Sequence, residues 1–273
     1  MLYFYGLALG IQSLFYRRFT RETIKNIIVP VNYWRIIEFD LVFNEMHPTD
    51  EDTILDIGSP KLLSLFLADK SDSRVVSTDI NNYFINEYVY LREMRKISKE
   101  NFLPLVMDGR ELRFPDQSFT KVFSISVFEH IPDEGDTACI REISRVLKKG
   151  GDCLLTVPFS PKGSNEYKKA GDFYWSDSSN VEEKNSDKVF FQRRYDEVAL
   201  YERIIKPSGL QLKKLQFVGE KVFKNSSREV SRYLTPITGP IQPVLAHALL
   251  TKPVNSWKEL DKPLAAFIVL HKG

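Results

Sequence analysis

The sequence predicts an α/β fold, an open and mostly parallel sheet with helices on both faces, and three observations carry that prediction. From Thr53 onward, short apolar runs alternate with helix-length segments, which is the pattern of consecutive βαβ units. Three of those runs carry an acid at or near their end: Asp56, Asp79 and Asp108. Ligands of an open parallel sheet sit outside the carboxyl ends of its strands near the switch point, so acids there meet hydroxyl and amino groups. Finally, 273 residues with 43% apolar content can bury one full core, and a second complete domain would leave too little for either.

Residues 1–50 read as an N-terminal helical segment, broken at Pro30, and the clearest period is Tyr33, Ile36, Ile37, Asp40, Leu41. Residues 1–18 are apolar, yet they lack a basic leader and are shorter than the roughly 20 residues that span a bilayer, so a docking helix is expected. Three destinations are open to it: the chain's own core, a second subunit in a homodimer, or a lipid surface. Arg17, Arg18 and Arg21 behind it keep the last in view.

Residues 51–273 read as the main domain. The expected order is strand 53–57, helix 60–69, strand 74–79, helix 82–98, strand 102–107, strand 120–126, helix 134–147, strand 151–157, helix 195–206, strand 210–218 and strand 264–271. Ile140, Ile143 and Leu147 give helix 134–147 one apolar stripe, and Pro207-Ser208-Gly209 stops helix 195–206. Two insertions interrupt the alternation. Residues 160–188 read as a long polar loop anchored by Phe173, Tyr174 and Trp175, the profile of a functional lid. Residues 221–262 are too broken by proline to cross a membrane and read as a substrate cap or a subunit contact.

The motifs at the strand ends are Asp56-Ile57-Gly58-Ser59-Pro60, then Asp79-Ile80 about twenty residues on, then Asp108-Gly109, Ser126-Val127-Phe128-Glu129-His130-Ile131 and Lys149-Gly150-Gly151. Over roughly residues 51 to 158 this chain resembles the class I S-adenosylmethionine-dependent methyltransferases, closest to the small-molecule group. The resemblance implies a Rossmann-like, seven-stranded sheet with S-adenosyl-L-methionine as cofactor. It further implies a cofactor pocket of Asp56, Gly58, Ser59, Asp79, Ile80, Asp108, Gly109 and Ser126. Asp79 would accept from both ribose hydroxyls, Ile80 would pack on the adenine, and Asp108 would meet its amino group. The chain departs from the family's glycine-rich first turn by keeping one glycine. That departure argues against a dinucleotide, whose pyrophosphate needs close backbone approach. Ser59-Pro60 reads as an N-cap with proline at the first helical position, leaving later amides to face a methionine carboxylate. The bland alternatives are a buried hydrogen-bonding Asp56 and an N-capping Asp79.

Methyl transfer from a sulfonium is an in-line displacement that needs alignment more than a protein nucleophile. His130 is the candidate general base, because an imidazole titrates near neutrality. Glu129, Arg193, Arg194 and Tyr195 are the candidate substrate contacts, with a solvated basic turn as the alternative for the arginines. The other histidines have no ligand-spaced partners, so no metal is expected. A net charge of +2 gives no drive toward nucleic acid. Two cysteines, read as buried core thiols, fit a cytoplasmic protein. The expected activity is methylation of oxygen or nitrogen on a small molecule. Competing readings are a cofactor-binding partner without turnover and a peripheral membrane methyltransferase acting on a lipid or quinone.

Overall fold

A computed structural model describes residues 1–16, 19–58, 62–169, 188–221 and 238–273. The described strands are β1 (Thr53–Ile57), β2 (Arg74–Asp79), β3 (Phe102–Val106), β4 (Phe119–Ile125), β5 (Leu147–Pro158), β6 (Ser164–Lys169), β7 (Lys188–Arg194), β8 (Gln211–Gly219) and β9 (Pro263–His271). Seven of them form one sheet in the order β3-β2-β1-β4-β5-β9-β8, while β6 and β7 pair with each other. Pairing is parallel from β3 to β5, and β9 lies antiparallel between β5 and β8. The order reverses between β1 and β4, which puts the switch point at their carboxyl ends. The seven-stranded Rossmann-like sheet is therefore present as expected.

Side-chain alternation divides the core into two layers. Ile54, Val75, Phe123, Leu154, Phe267 and Val269 face one layer, and Leu55, Val122, Cys153, Leu155, Ile268 and Leu270 face the other. The first layer is covered by α1 (Leu2–Phe15), α3 (Tyr33–Met46), α4 (Leu62–Lys70) and α5 (Asn82–Arg95), which contribute Leu9, Val42, Leu63 and Tyr88. The second is covered by α6 (Gly135–Val146) and by α7 (Glu197–Leu200), which runs through a wide π turn (Tyr201–Ile205) into α8 (Lys206–Ser208). Cys139 and Cys153 both lie in this second layer as free thiols.

Before the sheet, α2 (Arg21–Ile28) is capped by the Thr20 hydroxyl and α3 by the Asn32 amide oxygen, each accepting from a backbone N–H three residues on. Pro30 falls in the break between them. One face of α1 is buried with Leu2, Tyr3, Tyr5 and Leu9 in the first core layer. Of the three destinations expected for this helix, the chain's own core takes that face.

Several boundaries differ from expectation; the helix expected to reach 147 ends at Val146, and Leu147 opens β5, expected only from 151, by pairing with Phe119. Residues 164–169, expected within a polar loop, form β6, and β7 begins at Lys188 to pair with it. The helix expected from 195 starts at Glu197, because the Asp196 carboxylate caps it by accepting from the Ala199 N–H at 2.8 Å. The helix expected to reach 98 ends at Arg95, where Lys96 turns left-handed with φ 56°. In the second insertion, α9 (Gln242–Leu249) packs on α3, with the Gln242 side chain accepting from the Tyr33 N–H at 2.6 Å. Phe173, Tyr174 and Trp175, the expected lid anchor, lie outside the described residues.

Candidate functional site

Two residues stand out at the end of β1. Asp56 is wholly buried, and one of its oxygens accepts from the hydroxyls of Ser64 on α4 and Ser77 on β2, the latter at 3.1 Å. It thus ties three elements together beneath the pocket rather than standing open in it. Gly58 has φ +70°, and a Cβ there would lie 2.3 Å from Val127 Cγ1. The single glycine that the turn retains is therefore required twice, by conformation and by the approach of the loop after β4. Ser59, expected to cap the next helix, lies outside the described residues.

At the end of β2, Asp79 Oδ1 accepts the Asn81 N–H at 2.7 Å, and Asn81 caps α5 by accepting from the Tyr83 N–H at 2.8 Å. The capping task thus belongs to Asn81, and Asp79 holds the turn at the strand end. Ile80 is 68% exposed. Across the β2–β3 pair, Asp108 is forked by Arg110 through Nε and Nη2, at 2.7 to 3.1 Å, and accepts its N–H at 2.9 Å. Burial raises the Asp108 pKa, but these bonds and the guanidinium charge outweigh it and hold the carboxyl below its ordinary value. Gly109 packs tightly, since a Cβ there would lie 3.0 Å from Cys139 Sγ and from Ile57 Cγ2. Two acceptor-only carboxylates at neighbouring strand ends beside an open isoleucine fit a nucleoside, whose ribose and amino groups donate and whose base needs an apolar wall.

Beyond β4, the Ser126 backbone is left-handed at φ 51° and its hydroxyl donates to Glu38 on α3. Glu38 is almost fully buried; it also accepts from Thr156 at 2.9 Å and pairs with Arg35 at 2.5 Å. Trp34, Ile37, Glu38, Leu41, Thr156, Val218 and Ala265 line a crevice at the carboxyl edge of the sheet. The Ser126 hydroxyl, expected to touch cofactor, is thus engaged by α3. Glu38 was missed in the sequence. Its signal was the spacing Trp34, Glu38, Leu41, which sets one acid on an otherwise apolar helix face.

The next turn, Phe128–His130, carries the candidate base. His130 Nδ1 lies 2.7 Å from the Phe191 carbonyl oxygen on β7. A carbonyl only accepts, so Nδ1 carries the proton and the neutral ring keeps its lone pair on Nε2. Glu129 is buried, and its Oε1 stands 3.8 Å from that Nε2. The Phe191 ring meets the imidazole edge-on at 5.3 Å, and Lys168 Nζ lies 3.4 Å from the Phe191 ring centre. The β6–β7 hairpin therefore orients His130.

The arginines do not converge with it. Arg193 and the Tyr195 hydroxyl both donate to Asp136 Oδ2 at 2.7 Å, and Arg203 grips both Asp136 oxygens at 2.7 and 2.9 Å. Asp136 is fully buried on α6. Burial and the Asp136 charge push the Tyr195 hydroxyl far above its ordinary pKa. Arg194 instead pairs with Glu166 across the hairpin at 2.5 Å. Of the three side chains expected to contact substrate, Arg193 and Tyr195 are engaged in tying the end of β7 to α6, and Arg194 in tying β7 to β6.

A family described as "Methyltransferase domain" matches residues 55–155, the span that holds the glycine turn, all three strand-end acids and His130. Residues 55–155 are a methyltransferase domain. No curated protein matches the sequence. Among solved structures, a SAM-dependent methyltransferase from Methanosarcina mazei is 17% identical, with 85% of this chain and 96% of that one covered at a TM-score of 0.54. A geranyl diphosphate methyltransferase in complex with SAM is 10% identical, covering 87% and 85% at 0.55. The [4+2]-cyclase SpnF is 19% identical, covering 86% and 80% at 0.55. The superpositions establish a shared fold, and identities this low leave the substrate open.

Proposed function

We propose that this methyltransferase moves the methyl group of S-adenosylmethionine to an oxygen or nitrogen of a small molecule, with His130 as the base. The cofactor supplies the methyl carbon on a sulfonium that is already an activated leaving group. Asp79, Ile80 and Asp108 would hold its nucleoside, and Gly58 gives the first turn the shape that admits it. The Nδ1 bond to the Phe191 carbonyl carries the proposal, because it sets the ring so that Nε2 accepts the proton of the incoming nucleophile. Glu129 offsets the charge formed on the ring.

Residues 1–50 act as a cap on the domain of residues 51–273. The small-molecule acceptor is the one partner this chemistry requires. Action in the cytoplasm accords with Cys139 and Cys153, whose thiols burial pushes well above their ordinary pKa, so that they are inert. A second reading, a cofactor-binding protein without turnover, draws on the single glycine in the first turn. The test is calorimetric titration with S-adenosylmethionine, followed by incubation of methyl-labelled cofactor with paired hydroxyl and amine acceptors. Binding with label transfer supports the enzyme. Binding without transfer to any acceptor selects the second reading, and failure to bind sinks both.

A further inference from the structure

The outward face of α1 is apolar along its whole length. Phe4, Ile11 and Phe15 are 69%, 44% and 82% exposed, and with Ala8 they follow the spacing i, i+4, i+7, i+11, one stripe of a helix. The helix Leu2–Phe15 contains no charged residue. A helix apolar on all sides is normally buried on all sides, so the exposed stripe is out of place in water. The patch continues beyond α1: Phe19 and Ile24 are exposed, and Tyr3 donates to the Gly239 carbonyl, which brings the exposed Ile241 beside it. Charge changes sharply where the stripe ends. Arg17 and Arg18 follow in sequence, and α2 presents Arg21 and Lys25 against one acid, Glu22.

We propose that this face docks on an anionic lipid surface, with Phe4, Ile11 and Phe15 entering the headgroup–acyl boundary while Arg21 and Lys25 meet lipid phosphates. An in-plane helix with an apolar face and adjoining Arg and Lys matches both layers of such a surface. A second copy of the chain fits less well. Parallel α1 helices would bring two basic clusters together, and antiparallel ones would set each cluster against the positive dipole end of its partner. The inference does not rest on the methyl-transfer reading.

The experiment is co-sedimentation of the full chain with vesicles of phosphatidylcholine alone and of phosphatidylcholine with about a third phosphatidylglycerol. The chain should pellet with the anionic vesicles and be released by high salt. The triple variant F4S/I11S/F15S should bind at least about tenfold more weakly. Its melting temperature and cofactor affinity should be unchanged, because the three side chains lie outside the core. A second variant, R21E/K25E, should also lose binding to anionic vesicles. Wild type remaining in the supernatant with both vesicles overturns the proposal. So does equal pelleting of wild type and triple variant, or a dimer by light scattering that the triple variant abolishes.

Discussion

At the residue scale, site and scaffold separate by how far along the chain each carboxylate finds its donors. Asp56 and Asp136 are fully buried and accept from side chains of other elements, whereas Asp79 and Asp108, at the strand ends, accept from residues two positions on. Removing Asp79 deletes a charged acceptor whose hydrogen bonds contribute about 1.5–3 kcal/mol each, so Asp79→Ala should weaken S-adenosylmethionine by at least about tenfold. Calorimetry reads this directly, and an unchanged dissociation constant takes Asp79 out of the pocket. For a hydroxyl acceptor, His130→Ala should lower turnover by roughly 10²–10⁴ with cofactor affinity preserved, the span of a lost general base. An acceptor amine that is already neutral should lose far less. Full turnover of the variant on a hydroxyl acceptor would show that alignment alone suffices.

At the element scale, the Asp136 network and the β6–β7 hairpin decide how the second core layer meets the site. Asp136→Ala leaves Arg193 and Arg203 without their buried partner. Breaking a buried pair on one side costs about 3–5 kcal/mol, so the denaturant midpoint should fall substantially. A midpoint unchanged by the substitution would mean that solvent replaces the carboxylate and that the cluster is not what joins these elements. In the hairpin, burial raises the Glu166 pKa, but Arg194, Lys168 and Gln192 outweigh it and leave it below the ordinary 4.5. Its folded pKa being depressed, Glu166 contributes fully above about pH 4.5, and the contribution is lost as pH falls through the lower folded value. A third of the side chain is open to solvent, so the effect is modest. Hydrogen exchange in residues 164–169 and 188–194 should quicken in acid more in wild type than in Glu166→Gln, after correction for intrinsic rates. Equal behaviour would remove the pair from the hairpin's stability.

At the scale of the whole molecule, the N-terminal helices and the sheet share one core, because Leu9, Val42, Leu63, Phe123 and Phe267 belong to the same apolar layer. Leu9→Ala should therefore cost about 2–5 kcal/mol and lower a single cooperative transition. A sheet that melts as in wild type while α1 unfolds separately would make the helix an appendage. The sheet itself was legible in the sequence, since alternation of strand and helix periods and acids at strand ends are local patterns, set by side-chain direction every second or every three to four residues. The mostly parallel order, the acids near the strand ends and the break at Pro30 follow from such patterns. What lay beyond them depends on partners far apart in the chain: Phe191 to His130, Glu38 to Ser126 and Thr156, and Arg193 and Tyr195 to Asp136. No local period encodes which donor satisfies a buried acid, so Arg193, Arg194 and Tyr195 read from sequence as candidates for substrate, and Glu38 went unread. The hairpin was hidden for a related reason, because β6 and β7 are largely polar and become strands only by pairing with each other. The sequence by itself determined the fold and the residue types at its strand ends. Tertiary structure alone decided which of those side chains face the site, because that depends on where desolvated charges find their partners.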